Sequence, residues 1–232
     1  MEHQKKYKII YADPPWKYKE DWGNGSFKHS YPAMDTEEIK NLSVQDICDE
    51  ECHLYLWVTN PFIKDGLEVC KAWGFEFKTL ITWIKTYKDG TPEMGMGYYF
   101  RGCTEHIIFG VKGKMKTQNK TTKNMFKAIN PKGHSKKPDC VYDLIVTSSG
   151  DVPRIELFAR KRIKGWDCWG DEVESDTALV SNSKGSPSEN SFNKDLTATQ
   201  HNLKAPTIDR EQINKTGGQP NGIYTKTKWS VC

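Results

Sequence analysis

The stretch that decides the fold is Tyr7–Trp16, which reads YKIIYADPPW. Its first six residues are mostly apolar and predict a short strand that runs directly into Asp13-Pro14-Pro15-Trp16. A carboxylate and two prolines after a strand indicate a stiff loop at the strand's carboxyl end, where open α/β sheets bind their ligands. Proline fixes φ and removes a backbone donor, so the carbonyls of Asp13 and Pro14 are rigid acceptors beside the Asp13 carboxylate.

Fixed acceptors next to an aromatic plane suit a planar amine, such as the exocyclic NH2 of adenine. The alternative from the residue types alone is an ordinary strand-ending turn in which Trp16 anchors the core. Both interpretations stay open at this point.

Bulk properties exclude several classes of protein. The chain has 232 residues, a net charge of +4 and 12% aromatic residues, which permits nucleic-acid binding without requiring it. No stretch approaches the ~20 apolar residues of a membrane span. No signal peptide is visible, so we expect a cytoplasmic protein, in the host cytoplasm if phage-encoded.

Cysteine usage indicates a reducing environment and no metal site. The seven cysteines are odd in number and lack the spacing of a disulfide framework, so we expect reduced thiols. Cys48, Cys52 and His53 are not followed by a second ligand pair at zinc spacing. We therefore predict no metal.

Apolar runs and helical patterns alternate along residues 7–160. Strands are predicted at His53–Thr59, Phe75–Lys85, Arg101–Gly113 and Val152–Arg160, and helices at Asp35–Glu38, Ser43–Asp46, Pro61–Trp73 and Asp139–Val146. The pattern predicts an α/β fold with a mostly parallel sheet and helices on both faces. No G-x-G-x-x-G loop follows the first strand, which argues against an ordinary dinucleotide-binding domain.

Two segments are candidate substrate loops. Lys17–Tyr31 is long and aperiodic, and it directly follows the proline motif, so it is a candidate lid. Residues 112–137 contain nine lysines and no acid, which favours a basic mobile loop that follows phosphates, with Lys112, Lys114 and Lys116 as candidate contacts. The alternative is a flexible solvated surface loop.

Composition also predicts a domain boundary. Residues 174–232 are rich in Ser, Asn, Thr and Lys, and almost every apolar residue there stands alone. Such a segment cannot bury enough apolar area to offset the entropy of ordering. We predict one domain over residues 1–173 and a mostly disordered polar tail over 174–232.

Asp13-Pro14-Pro15-Trp16 resembles the DPPW signature of N6-adenine methyltransferases that use S-adenosylmethionine. The chain is similar to the family that includes the catalytic subunit of the eukaryotic mRNA adenosine methyltransferase and its bacterial and phage DNA-modifying relatives. Further matches follow in the family's order at Leu54–Thr59, Ile81–Thr86, Thr104–His106, His134–Pro138, Ile155–Arg160 and Gly165–Val173. The resemblance implies a Rossmann-like methyltransferase fold with permuted motif order.

The resemblance also implies roles for individual residues. Asp13, Pro14, Pro15 and Trp16 are expected to be catalytic, with Asp13 also near the cofactor. Tyr31 is expected in the adenine pocket, and Arg101 and Thr104 near the base and the methyl donor. S-adenosylmethionine is expected to contact Ser135, Lys137, Phe158, Arg160, Arg162, Asp171 and Glu172. Many relatives carry Asn at the position of Asp171, whose carboxylate accepts hydrogen bonds but cannot donate them.

The implied reaction is transfer of a methyl group to N6 of adenine in DNA. Two acceptors that bond the amine hydrogens would localise the nitrogen lone pair toward the methyl group, so catalysis is mostly positioning and electrostatics, and Asp13 needs no raised pKa. Trp16 or Tyr31 would stack on a base that has left the duplex. The alternatives are the same reaction on RNA and a catalytically silent nucleic-acid-binding subunit. Action alone or as a homo- or heterodimer stays open.

Overall fold

The computed structural model describes residues 4–18, 33–95, 97, 99–131 and 135–181. These residues belong to one compact unit, which covers residues 1–183 and 230–232, and the second unit, residues 184–229, lies outside the described part of the chain. No helix among the described residues is long and apolar enough to cross a membrane.

Strands and helices alternate along the described chain. The strands are β1 (Tyr7–Ala12), β2 (Cys48–Val58), β3 (Glu76–Thr86), β4 (Thr104–Lys112), β5 (Met125–Ile129), β6 (Arg154–Leu157) and β7 (Asp167–Trp169). The α-helices are α1 (Thr36–Lys40), α2 (Ile63–Ala72) and α3 (Cys140–Ser149). A 3-10 turn at Val44–Asp46 replaces the helix predicted from Ser43, and another at Asn60–Phe62 precedes α2.

The seven strands form one sheet in the order β5-β3-β4-β2-β1-β6-β7. β1 is parallel to β2 and β6, β3 is parallel to β5, and β6 is parallel to β7. β4 is antiparallel to both of its neighbours, β2 and β3. Six strands therefore end at the same edge of the sheet, which we call the carboxyl edge, and β4 begins there.

Apolar residues of β1 face both sides of the sheet. Ile10 and Ala12 pack in a core cluster with residues of α1 and α2, whereas Ile9 and Tyr11 pack in a second cluster with residues of α3. This explains why the central strands are nearly continuous apolar runs, since a strand covered on both faces has no solvent side. The predicted α/β fold, with a mostly parallel sheet and helices on both faces, is confirmed.

Residues 112–137 are not a loop throughout. Met125–Ile129 form β5, the edge strand parallel to β3, which corrects the prediction of a continuous loop. Phe126 and Ala128 are buried in the cluster beside α3, and this alternation is a strand signal that the surrounding lysines obscured.

Residues 174–181 contact the sheet domain, so the predicted boundary at residue 173 is early. Asp176 accepts hydrogen bonds from Arg162 and from the backbone of Cys168, and Ser43 and Val180 exchange two hydrogen bonds of 2.9 Å. Because these contacts are hydrogen bonds between polar groups, they produce no hydrophobic pattern from which the sequence could have predicted them. The prediction of disorder for residues 182–232 lies outside the described residues.

Candidate active site

A cleft of about 440 Å3 opens at the carboxyl edge. Its walls come from the carboxyl ends of β1, β2, β6 and β7 and the residues after them, from the start of β4, and from the segment before α3. The lining residues are Asp13, Pro14, Pro15, Trp16, Tyr18, Met34, Trp57, Val58, Thr59, Glu105, Ser135, Lys137, Phe158, Ala159, Arg160, Trp169, Gly170, Asp171 and Glu172. The cleft lies where the ends of parallel strands leave room for a ligand, as the sequence predicted.

The proline motif forms one wall of the cleft. The backbone N–H of Trp16 donates to the Pro14 carbonyl at 2.9 Å, and that of Met34 donates to the Pro15 carbonyl at 2.8 Å. A carbonyl oxygen has two lone pairs, so Pro14 keeps capacity for one more donor. The motif is thus tied to the segment that leads into α1, whose first turn is fixed by Asp35 as N-cap.

Trp16 is an anchor in the core. Its side chain is 7% exposed and stacks on Phe62 with ring centroids 5.3 Å apart, and its indole N–H donates to the Trp57 carbonyl at 3.0 Å. Phe62 covers one face of the indole, which fits the interpretation of Trp16 as a core anchor, and stacking of a base on Trp16 stays a prediction. Its partner in that prediction, Tyr31, lies outside the described residues.

Asp13 is held by Lys137. The Lys137 ammonium donates to Asp13 Oδ2 at 2.7 Å and lies 3.6 Å from Glu105 Oε2. Burial raises the pKa of Asp13, with Lys137 opposing and Glu105 adding to the effect. Burial alone would lower the pKa of Lys137, but Asp13 and Glu105 together raise it. The expected chemistry does not require a raised pKa for Asp13, and the shift caused by burial is compatible with it.

Two lining residues have backbone conformations that side chains rarely adopt. Ser135 has φ of 57° and Phe158 has φ of 62°, and such residues cluster at ligand sites, where the surrounding structure holds the strain. Phe158 packs edge-on against Trp169. A Cβ atom on Gly170 would lie 2.4 Å from the Ala159 carbonyl oxygen. Only glycine therefore fits at this position of the cleft wall.

The predicted cofactor-contacting residues divide into two groups. Arg160, Asp171 and Glu172 line the cleft, and the Arg160 side chain donates to Glu172 at 2.9 Å. Arg162 does not line it. Its guanidinium donates to Asp176 and to the Glu174 carbonyl, so it anchors residues 174–176, and its contact with the cofactor stays a prediction.

The predicted substrate contacts are mostly not brought to the cleft. Arg101 and Thr104 are not among its lining residues. Lys112 is the last residue of β4 and pairs with Cys52 on β2. Cys52 precedes Trp57, which lines the cleft, by five residues along β2, so Lys112 lies roughly 17 Å from the cleft. Lys114 and Lys116 follow it at that opposite edge. Lys137, the last lysine of the run, lines the cleft.

Sequence reasoning missed Glu105 and Trp57. Glu105 was identified only as the middle residue of the Thr104–His106 match, and Trp57 only as part of the predicted strand His53–Thr59. Both side chains line the cleft, where the Lys137 ammonium lies 3.6 Å from Glu105 Oε2 and 5.3 Å from the Trp57 ring centroid. The available signal was an acid next to buried strand residues, since buried carboxylates need a partner.

Comparison with known proteins identifies the family. The MT-A70 family model matches residues 7–172. The chain belongs to the MT-A70 family. Type II methyltransferase M.MunI of Mycoplasma sp. is 32% identical over 190 residues, which cover 73% of this chain and 79% of that protein. The N(6)-adenosine-methyltransferase catalytic subunit METTL3 of Homo sapiens is 28% identical over 157 residues, covering 67% of this chain and 26% of METTL3.

MT-A70 methyltransferases use S-adenosylmethionine, and the cleft fits that cofactor chemically. Its volume is in the range of small-molecule sites. The Asp171 and Glu172 carboxylates suit ribose hydroxyls, Arg160 and Lys137 suit a carboxylate, and the Gly170 wall allows close backbone approach. The described residues contain no group of three His, Cys, Asp or Glu that could hold a metal.

Proposed function

We propose that this MT-A70 protein transfers a methyl group from S-adenosylmethionine to the N6 amine of adenine in DNA. M.MunI, which is a DNA adenine methyltransferase, matches over most of both chains. The observation that carries the site assignment is the Asp13 carboxylate, fixed by Lys137 beside the Pro14 carbonyl in the cleft.

The proposed roles follow from the acceptors at this wall. S-adenosylmethionine, when bound, supplies an electrophilic methyl group on a positively charged sulfur. Lys137 occupies Asp13 Oδ2, so Oδ1 and the Pro14 carbonyl bond the two amine hydrogens. This favours a nitrogen geometry closer to sp3 and directs the lone pair toward the methyl carbon.

The chemistry balances without a strong base. The N6–carbon bond forms as the carbon–sulfur bond breaks, and the positive charge passes from sulfur to nitrogen. The cationic nitrogen is very acidic, and Asp13, whose pKa burial raises, is placed to take its proton. Ordered acceptors contribute most where charge develops in the transition state.

The base must leave the duplex to reach the cleft. Met34 and Tyr18 line the mouth on the side of the proline motif, and the Tyr18 hydroxyl lies 2.9 Å from Thr59 Oγ1. We assign them to the adenine pocket, together with Tyr31 from the candidate lid. Trp16 lines the same wall and is held there by Phe62 and the Trp57 carbonyl.

The same reaction on RNA adenosine is the second candidate. METTL3 carries the name N(6)-adenosine-methyltransferase, but this chain covers only 26% of it, against 79% of M.MunI. A catalytically silent subunit is a third candidate and should not bind the cofactor. We place the reaction in the cytoplasm, which six free cysteines among the described residues support.

The deciding experiment follows label from S-adenosylmethionine into unmethylated duplex DNA and into RNA, with Asp13→Ala alongside. We expect N6-methyladenine in DNA, lost in the variant. Label in RNA alone would overturn the DNA assignment. Cofactor binding without transfer to either would point to a missing partner subunit, and sedimentation of the protein would show whether the active form is a homo- or heterodimer.

A further inference from the structure

Lys85 is a partly buried lysine at the carboxyl edge of the sheet. Neither the family resemblance nor the lining of the cleft gives it a role. It lies near the end of β3, and its backbone N–H donates to the Cys103 carbonyl at 2.8 Å. Its ammonium donates to Glu105 Oε1 at 2.5 Å and lies 5.1 Å from the Trp83 ring centroid. Lys85 is therefore a diagonal cross-strand partner of Glu105.

Lys85 completes a chain of four alternating charges. From β3 to the proline motif, the order is Lys85, Glu105, Lys137 and Asp13, with separations of 2.5, 3.6 and 2.7 Å. The side chains of Lys85, Glu105, Lys137 and Asp13 are 23%, 13%, 13% and 25% exposed. Two positive and two negative charges balance, which is what allows them to be desolvated together.

The distances show that Lys137 is shared unequally. It lies closer to Asp13 than to Glu105, although both carboxylates are within its reach. Glu105 Oε2 is buried and has no hydrogen-bond partner among the described residues. Because Lys85 already neutralises Glu105 through Oε1, Glu105 competes weakly for Lys137.

We propose that Lys85 is a positioning residue, which holds and neutralises Glu105 so that Lys137 stays bonded to Asp13. The proposal rests on the proposed function, in which Asp13 bonds the N6 amine. Lys85 itself touches no reacting atom.

Removing the Lys85 charge leaves one cation between two carboxylates. Lys137 then moves toward Glu105, and Asp13 loses part of the interaction that opposes its protonation. Other groups act on the same pair and stay in place: Arg160, Tyr11 and Glu156 near Asp13, and His106 near Glu105. Asp13 should therefore protonate at higher pH in the variant, and the acid limb of activity should move with it.

The test compares Lys85→Met and Lys85→Arg with Lys78→Met as matched control. Lys78 lies on the same strand and pairs with Glu76, away from the cleft. We expect Lys85→Met to move the acid limb of kcat/KM for duplex DNA up by about one pH unit and Lys85→Arg to restore it. Lys78→Met should leave the profile unchanged. An unmoved acid limb in Lys85→Met would overturn the proposal.

The Glu105→Gln background shows whether Lys85 acts through Glu105. With Glu105 uncharged, Lys85→Met should no longer move the acid limb. A movement of the same size in both backgrounds would refute the proposed route.

A readout without substrate separates this inference from the proposed function. Carboxyl carbon resonances followed by NMR during a pH titration, with Asp13→Asn to assign the signal, report protonation of Asp13 directly. A higher titration midpoint in Lys85→Met supports the positioning role even if the wild type methylates neither DNA nor RNA. An unchanged midpoint in a methylating enzyme overturns the positioning role alone.

Discussion

Asp13 and Lys137 are 124 residues apart in the sequence and form the central ion pair of the cleft. Their bond fixes one carboxylate oxygen and leaves the other to act on a ligand. A buried carboxylate is ionised only if a cation stays beside it. The chemistry of the proline motif therefore depends on a lysine from a different part of the chain.

Asp13→Asn should lower kcat for DNA methylation by about 100-fold or more, the size expected when one fixed transition-state interaction is lost. The amide presents only one acceptor and cannot carry the charge that opposes the developing cation. Steady-state methyl transfer measures the effect, with Asp89→Asn in the exposed 87–91 turn as control. Equal activity of both variants would contradict the assigned role.

Glu156 provides a pH-dependent term in stability. It lies on β6 and accepts from the Tyr142 hydroxyl at 2.9 Å, and burial raises its pKa to about 7. The folded protein keeps this proton between pH 4.5 and 7, whereas the unfolded chain loses it. The stabilisation of the folded state by protonated Glu156 is thus complete below pH 4.5 and is lost as the pH rises to about 7.

Glu156→Gln should flatten this dependence, because the amide still accepts from Tyr142 and never ionises. At pH 8 we expect the variant to be more stable than the wild type by on the order of 1–3 kcal/mol, and near pH 4 to differ little. Urea unfolding at several pH values measures it. A difference in unfolding free energy between the two proteins that stays constant from pH 4 to pH 8 would contradict the raised pKa of Glu156.

At the scale of the element, the reversed direction of β4 decides what lies at the cleft. The strand brings Glu105 to the carboxyl edge and carries Lys112 to the opposite one. β5 then runs parallel to β3 and returns the chain toward the cleft. One lysine run therefore serves two distant edges of the sheet.

The two ends of that run should differ in DNA binding. Lys136 is exposed beside Lys137 at the cleft, and Lys114 is exposed beyond the end of β4. We expect Lys136→Gln to weaken duplex binding and reduce the slope of log K against log salt by about one. Lys114→Gln, its matched control, should change the slope little.

Fluorescence anisotropy between 50 and 200 mM salt is a suitable measurement. An equal loss of duplex affinity in both variants would mean that the bound DNA also contacts the edge of the sheet opposite the cleft. The original assignment of Lys112, Lys114 and Lys116 to phosphate contact would then be restored.

At the scale of the whole molecule, α2 packs closely on the central strands through Gly66. A Cβ atom there would lie 2.4 Å from Val58 Cγ1 and 2.7 Å from Ile108 Cδ1. Val58 also lines the cleft, so core packing and the site share one contact. Interiors at crystal-like density transmit such overlaps as strain.

Gly66→Ala should destabilise the fold by about 1–3 kcal/mol through overpacking, although alanine is the better helix former by about 1 kcal/mol. Adding Val58→Ala should recover part of the loss by making room for the new methyl group. Equilibrium unfolding of the wild type, Gly66→Ala and the double variant tests this. A stabilised Gly66→Ala would show that the helix moves away at no cost.

The sequence by itself determined the local features of this protein. The buried strands were visible because apolar runs covered on both faces leave no polar side, and the cleft wall was visible because Asp13-Pro14-Pro15-Trp16 ends such a strand. The start of α1 was predicted at Asp35, and in the structure Asp35 and Glu38 form a capping box through reciprocal hydrogen bonds.

Only the tertiary structure decided which distant groups meet. Strand order decides the direction of β4, the pairing of β5 and the ion pairs of Asp13 and Glu105. The periodic pattern of hydrophobic residues in the sequence does not encode that order. The same holds for Trp16, whose stacking on Phe62 needed the position of α2. Long-range contacts depend on the direction and register of strands, and these are set by packing of the whole sheet.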